Sequence, residues 1–101
     1  MFLASVFTNI EARTLSWEIV DSAGQFSQQV SLPSDEPGVE IYAERGYIYV
    51  RTDHEIPVSV YSILGQLVGS GVLQPGLYRM PMNAKGIYIL RAGMSTLRVT
   101  L

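Results

Sequence analysis

The chain's single histidine, His54, lies between Asp53 and Glu55 in "TDHEIP", a trio whose side chains are able to ligate a transition metal or to relay a proton. A closed metal shell takes about four such ligands, and there is no cysteine and no second histidine to complete one. The stretch therefore reads as a solvated polar turn ahead of Pro57. Asp35, Glu36 and Glu40 could offer oxygen ligands to calcium, but the D-x-[DN]-x-[DN]-G loop is missing, so a solvated acidic loop is expected there. Ser59, Ser62, Ser70 and Ser95 have no G-x-S-x-G elbow around them, and no glycine-rich phosphate loop is present. The expectation is a protein with no catalytic residues, no metal and no cofactor.

Recognition chemistry is better represented. Tyr42, Tyr47, Tyr49, Tyr61, Tyr78 and Tyr88 could form a platform for stacking sugars, although tyrosines in strands more often lay their rings on the core and keep the hydroxyl in water. A pI of about 5.2 argues against nucleic acid, which calls for a basic stripe. The net charge of −2 covers an uneven distribution: residues 1–56 hold all nine acids with three arginines, whereas residues 57–101 hold four basic side chains and no acid. Such polarity could steer an anionic partner to the C-terminal half. The simpler expectation is that the halves interleave as strands of one sheet and neutralise each other.

The elements that position these residues are strands. Hydrophobic residues make up 48% of the 101 and charged residues 16%, a composition that suits one packed domain. No apolar run approaches the roughly 20 residues of a membrane-spanning helix, and "MFLASVFTNI" lacks the basic start of a secretory signal; Met1 is not expected to be the biological N-terminus. Apolar and polar residues alternate with a period of two. This predicts a hairpin from Leu15–Ile19 and Phe26–Leu32 around "DSAGQ", then a long loop at "LPSDEPG". Further strands are expected at Val39–Glu44, Tyr47–Thr52, Val58–Leu64, Gln66–Leu73, Leu77–Pro81, Gly86–Ala92 and Thr96–Leu101, divided by Arg45-Gly46, "DHEIP", Gly65, "QPG", "NAKG" and "GMS". Strands recurring at this spacing predict an all-β sandwich or barrel. Ile87 to Leu90 is apolar on both sides, as in a central strand covered twice or a patch that awaits a partner.

The ordered series "VSVYSILGQLVGSG", "QPGLYRMPM", "AKGIYILRAG" and "TLRVTL" closely resembles the C-terminal sorting domain of cargo proteins of the type IX secretion system of Bacteroidetes. Gly65, Leu67 and Val68 match its first element, Pro75, Gly76 and Tyr78 its second, Gly86, Ile87, Tyr88 and Ile89 its third, and Arg98 and Val99 its fourth. The match runs from about Val39 and is closest from Val58 onward. Gln66 stands where the family usually has a basic residue, and Ser62 where it often has an acid.

The resemblance implies an immunoglobulin-like antiparallel β-sandwich of about seven strands in residues 34–101; residues 1–33 fall outside it and are expected to be the end of a preceding cargo region or a linker, with a β-hairpin, or extra strands of this domain. It implies an export address that acts in the periplasm and ends at the cell surface or outside. The implied partners are the outer-membrane translocon and a sortase-like peptidase that removes the domain, with anionic lipopolysaccharide as the cargo's anchor. The alternatives are a surface β-sandwich that holds glycan or lipopolysaccharide and a docking domain retained in the secretion machine. Edge-strand pairing could also give a homodimer. In the last hairpin, Ile87, Ile89, Leu97, Val99 and Leu101 are expected to point inward, so that the domain can fold only once the hairpin has been made.

Overall fold

The computed structural model describes residues 15–20, 32 and 35–101. Eight strands follow one another: β1 (Glu18–Ile19), β2 (Val39–Glu44), β3 (Tyr47–Thr52), β4 (Ile56–Ser62), β5 (Leu67–Leu73), β6 (Gly76–Pro81), β7 (Ile87–Ala92) and β8 (Ser95–Thr100). They form two four-stranded sheets, in the orders β1-β6-β3-β2 and β5-β4-β7-β8, with antiparallel pairing throughout. Two hairpins in different sheets, a return of β6 to the first sheet and a final hairpin in the second give the connectivity of an immunoglobulin-like sandwich. There is no helix among the described residues.

Local chemistry explains the hairpins. Arg45 and Gly46 both have positive φ, 52° and 84°, as a two-residue type I′ turn demands because its twist matches that of the strands. They join Glu44 to Tyr47, which face each other in the register. The β4–β5 turn is a three-residue loop: the Gly65 N–H donates to the Ser62 carbonyl at 2.9 Å and the Ser62 N–H to the Gln66 carbonyl at 2.8 Å. Its tip leaves Ile63 and Leu64 in water.

Alternation then decides burial. Ile41, Ile48, Val50 and Met80 from one sheet meet Val58, Val60, Leu90, Ala92 and Val99 from the other, all with no measurable exposure. Burying one such aliphatic side chain contributes about 1.5–3 kcal/mol, and this shared layer holds the sheets together. Trp17 and Tyr88 lie partly buried against it.

The sequence expectations need three corrections. First, β4 begins at Ile56, two residues early, and Ile63–Leu64 belong to the turn. Pro57 is tolerated because it lies just beyond the β7 ladder, which begins at Val58, and its carbonyl still accepts the Gly93 N–H at 3.0 Å. Second, Ile87 and Ile89 point outward, away from the core that Leu90 and Ala92 enter. The strand is apolar on both sides, and pairing of Leu90 with the buried Val60 decides which side goes in. Val99 is fully buried and Leu97 and Leu101 pack on the core, as expected. Third, the acidic and basic halves do not interleave in a single sheet. Only β6 joins the first sheet, and the second carries no carboxylate on any of its strands. The seven strands expected in residues 34–101 are present as β2 to β8, and among the described residues the two-residue β1 precedes them.

Residues 15–20 run along the sandwich and touch both sheets. The Leu15 N–H donates to the Val68 carbonyl at 2.9 Å, and Leu15 forms a parallel bridge with Gly69; three residues on, Glu18 and Ile19 pair with Arg79 and Tyr78 of β6. Gly69 permits this crossing, since a Cβ there would lie 2.5 Å from the Leu15 carbonyl oxygen and 2.6 Å from Met80 Cε. The Leu32 N–H reaches the Ile41 carbonyl at 2.7 Å. The predicted Phe26 strand and the "DSAGQ" turn lie outside the described residues.

Candidate functional site

The residues that carry the family resemblance divide into two groups. One group builds the fold. Gly65, Gly76 and Gly86 occupy turns or strand starts at φ of 93°, 149° and 147°, where a side chain would be strained. Gly86 exchanges two backbone hydrogen bonds with Leu101, at 3.2 and 2.8 Å. The Tyr88 hydroxyl donates to the Ala84 carbonyl at 2.6 Å, closing the loop before β7, and the Tyr78 hydroxyl accepts the Gln74 N–H at 3.2 Å, closing the loop around Pro75. Val68 packs on the core and Val99 is part of it.

The other group is Leu67, Ile87, Ile89 and Arg98, and all four lie on the outer face of the second sheet. The registers Leu67↔Tyr61, Tyr61↔Ile89 and Ile89↔Arg98 place three of them with Tyr61 in one row across β5, β4, β7 and β8. Ile87 stands on the same face of β7, two residues along, opposite Thr100. Leu67 is 50% exposed and Ile87 39%. The neighbouring row is Ser70, Ser59, Arg91 and Thr96. Arg91 and Arg98 are exposed, and among the described residues neither makes an ion pair. In the sequence Tyr61 figures only as one of six tyrosines and Arg91 only as one of the four basic residues of the C-terminal half. Parity offered a signal for Arg91, which follows Ile89 by two residues and so shares its side of the strand.

The first sheet's outer face is different. Its corresponding row is Tyr42, Tyr49, Arg79 and Glu18. The Arg79 guanidinium stacks 4.2 Å from the Tyr47 ring centroid and its Nε lies 3.1 Å from Glu18 Oε1; the Tyr49 hydroxyl and Glu18 hold its pKa above the usual value. The Tyr42 hydroxyl donates to Glu40 at 2.7 Å, and Arg51 stands 3.4 Å from the same carboxylate. Burial, then the Glu40 hydrogen bond, raises the Tyr42 pKa. Tyr47 and Tyr49 have ring centroids 5.8 Å apart, so three of the six tyrosines gather here.

The candidate catalytic and metal groups are not brought together. His54 is exposed, with Nδ1 2.6 Å from Asp53 Oδ1, and the Thr52 hydroxyl closes the turn by donating to the His54 carbonyl at 2.7 Å. Asp35 and Glu36 tie to the start of β8: the Asp35 N–H donates to Ser95 Oγ at 3.0 Å and Glu36 Oε1 accepts the Met94 N–H at 3.2 Å. Glu40 stands apart on β2. Among the described residues no three His, Cys, Asp or Glu side chains gather as a metal site. Open clefts lie among the described residues. One, of about 570 Å³, lies between the β2–β3 turn and the β6–β7 loop and includes Glu44, Met82, Lys85 and Leu101; another, of about 740 Å³, lies beside Val20, Arg51 and Leu77. No helix among the described residues is long and apolar enough to cross a membrane. No protein-family model, curated protein or solved structure matches the chain.

Proposed function

We propose that this chain is a C-terminal sorting domain for type IX secretion, a folded address recognised by proteins that carry its cargo across the outer membrane. The observation that carries the reading is the division of labour in the ordered motif. Its glycines sit where a turn or strand start needs positive φ, its tyrosines at 78 and 88 close loops, Val68 and Val99 join the core, and Leu67, Ile87, Ile89 and Arg98 share the outer face of one sheet. Selection for stability alone does not require Leu67 and Ile87 to stand in water beside the half-buried Ile89; a surface that must be read does. On this proposal the domain works in the periplasm, engages the outer-membrane translocon, and is trimmed by a sortase-like peptidase as the cargo reaches the surface.

The test is a fusion of residues 1–101 to the C-terminus of a periplasmic reporter in a bacterium that uses type IX secretion. The reading expects the reporter on the surface or in the medium, dependent on the translocon, with a mature product lacking the domain. Retention of a folded fusion in the periplasm would overturn it. A second reading, a surface sandwich that holds glycan, draws on the gathering of Tyr42, Tyr47 and Tyr49 beside Arg79. Retention with binding to lipopolysaccharide, lost in Tyr47→Ala, would favour it.

A further inference from the structure

An exposed β-sheet face that carries cations without counter-charges and aliphatic side chains without cover has a definite complement. On the β5-β4-β7-β8 face, Leu67, Tyr61 and Ile89 form an apolar strip that ends in Arg98, with Ile87 beside it and Arg91 in the next row. No strand of this sheet contributes an acid, although the chain has nine. In the opposite sheet, Arg79 and Arg51 each face a carboxylate, so of the two sheet faces this is the one whose arginines have no ion pair among the described residues.

We propose that this face is the surface by which the sorting domain is read, and that its partner is a protein segment presenting carboxylates next to apolar side chains. The inference rests on the sorting-domain reading. A polyphosphate chain would leave the aliphatic strip facing charge, and nucleic-acid affinity grows with many phosphate contacts, whereas two arginines flanking an apolar centre match a protein interface with a desolvated middle and a charged rim. Charge complementarity steers the encounter, and burial of the strip retains the partner.

The experiment uses the same reporter fusion of residues 1–101, unmodified and with R91E/R98E, R91Q/R98Q, Ile89→Asn or R45E/K85E. The last pair makes the same change in net charge away from this face: Arg45 lies in the β2–β3 turn and Lys85 in the β6–β7 loop. Each purified chain is also melted. The proposal expects R91E/R98E to lower surface display of the reporter at least about tenfold. R91Q/R98Q and Ile89→Asn should lower it in the same direction, while R45E/K85E stays within about twofold of the unmodified fusion. Melting temperatures should remain together, because both arginines are exposed; if R91E/R98E melts lower, R91Q/R98Q decides. Full display of the folded arginine variants overturns this proposal and leaves the sorting reading standing. Equal loss in R45E/K85E also overturns it, in favour of net charge. If the unmodified fusion is not displayed, the sorting reading fails and this inference falls with it.

Discussion

Across the outer face of each sheet runs a row of four side chains that includes an arginine and at least one tyrosine, and the two rows obey different rules. In the row Tyr42, Tyr49, Arg79 and Glu18 of the first sheet, Glu18 holds the Arg79 guanidinium, which stacks on the neighbouring Tyr47 ring, and the Tyr42 phenol is buried and bonded to Glu40. Leu67, Tyr61, Ile89 and Arg98 of the second have an aliphatic strip and an arginine with no acid on the same sheet. Cross-strand pairs stabilise a sheet when their chemistries satisfy each other. The first face therefore contributes to holding its own sheet, and the second leaves its pairing capacity for something else. Geometry alone does not separate the faces, since both belong to four-stranded antiparallel sheets over one core; composition does.

The comparison depends first on that core. Leu90 lies under the apolar row with no exposure and pairs with Val60, so Leu90→Ala should cost about 2–5 kcal/mol and disturb both faces together. Chemical denaturation would show it, and a loss below about 1 kcal/mol would mean that the sheets are not joined through this layer. Next, Gly69→Ala sets a methyl group against the Leu15 carbonyl and Met80; overpacking of this kind costs about 1–3 kcal/mol. Because the clash is with residues that cross between the sheets, limited proteolysis should cut near Leu15 sooner in this variant. A Cβ at Gly86 meets no neighbour within 4 Å, but Gly86→Val must adopt φ near 147°, a strain that should cost about 1–3 kcal/mol.

The faces are then separated by their arginines. Arg79→Ala should lower the melting temperature modestly, through the lost ring contact and ion pair, whereas Arg98→Ala should leave it unchanged while reducing export. A loss of stability in both, or in neither, would erase the distinction. The smallest expected effect is a pH dependence confined to the first face. The Tyr42 pKa is raised on folding, so its contribution is complete below the unfolded phenol's pKa of about 10 and is lost as pH rises through the higher folded value. Melts from about pH 9 to 11 should fall more steeply for the unmodified chain than for Tyr42→Phe.

Much of the fold was open to inspection in the order of residues, since it is local. Two residues at Arg45-Gly46 suffice for a reversing turn with positive φ, and period-two alternation from Val39 to Thr52 marks the buried Ile41, Ile48 and Val50 without reference to any distant segment. The same holds for Val99 and its flanking polar residues. The four ordered segments likewise stand in the order of residues, but their separation into builders and surface residues does not. Between Ile87 and Leu90 both sides of the strand are apolar, so alternation has no preferred side to report. Pairing with Val60 across β4 and the opposing Ile41 and Ile48 sheet decide it, turning Leu90 inward and Ile89 out.

Residues 15–20 make the same point at the sandwich edge. A short alternating segment announces a strand, yet its crossing from Gly69 in one sheet to Arg79 in the other depends on gaps between strands more than fifty residues away. Hairpin-forming propensity is a property of neighbours in the chain. Which side of each hairpin meets water, and which charges are left without a counterpart, is settled only when the two sheets close on a common core, because burial is a property of the assembled layers.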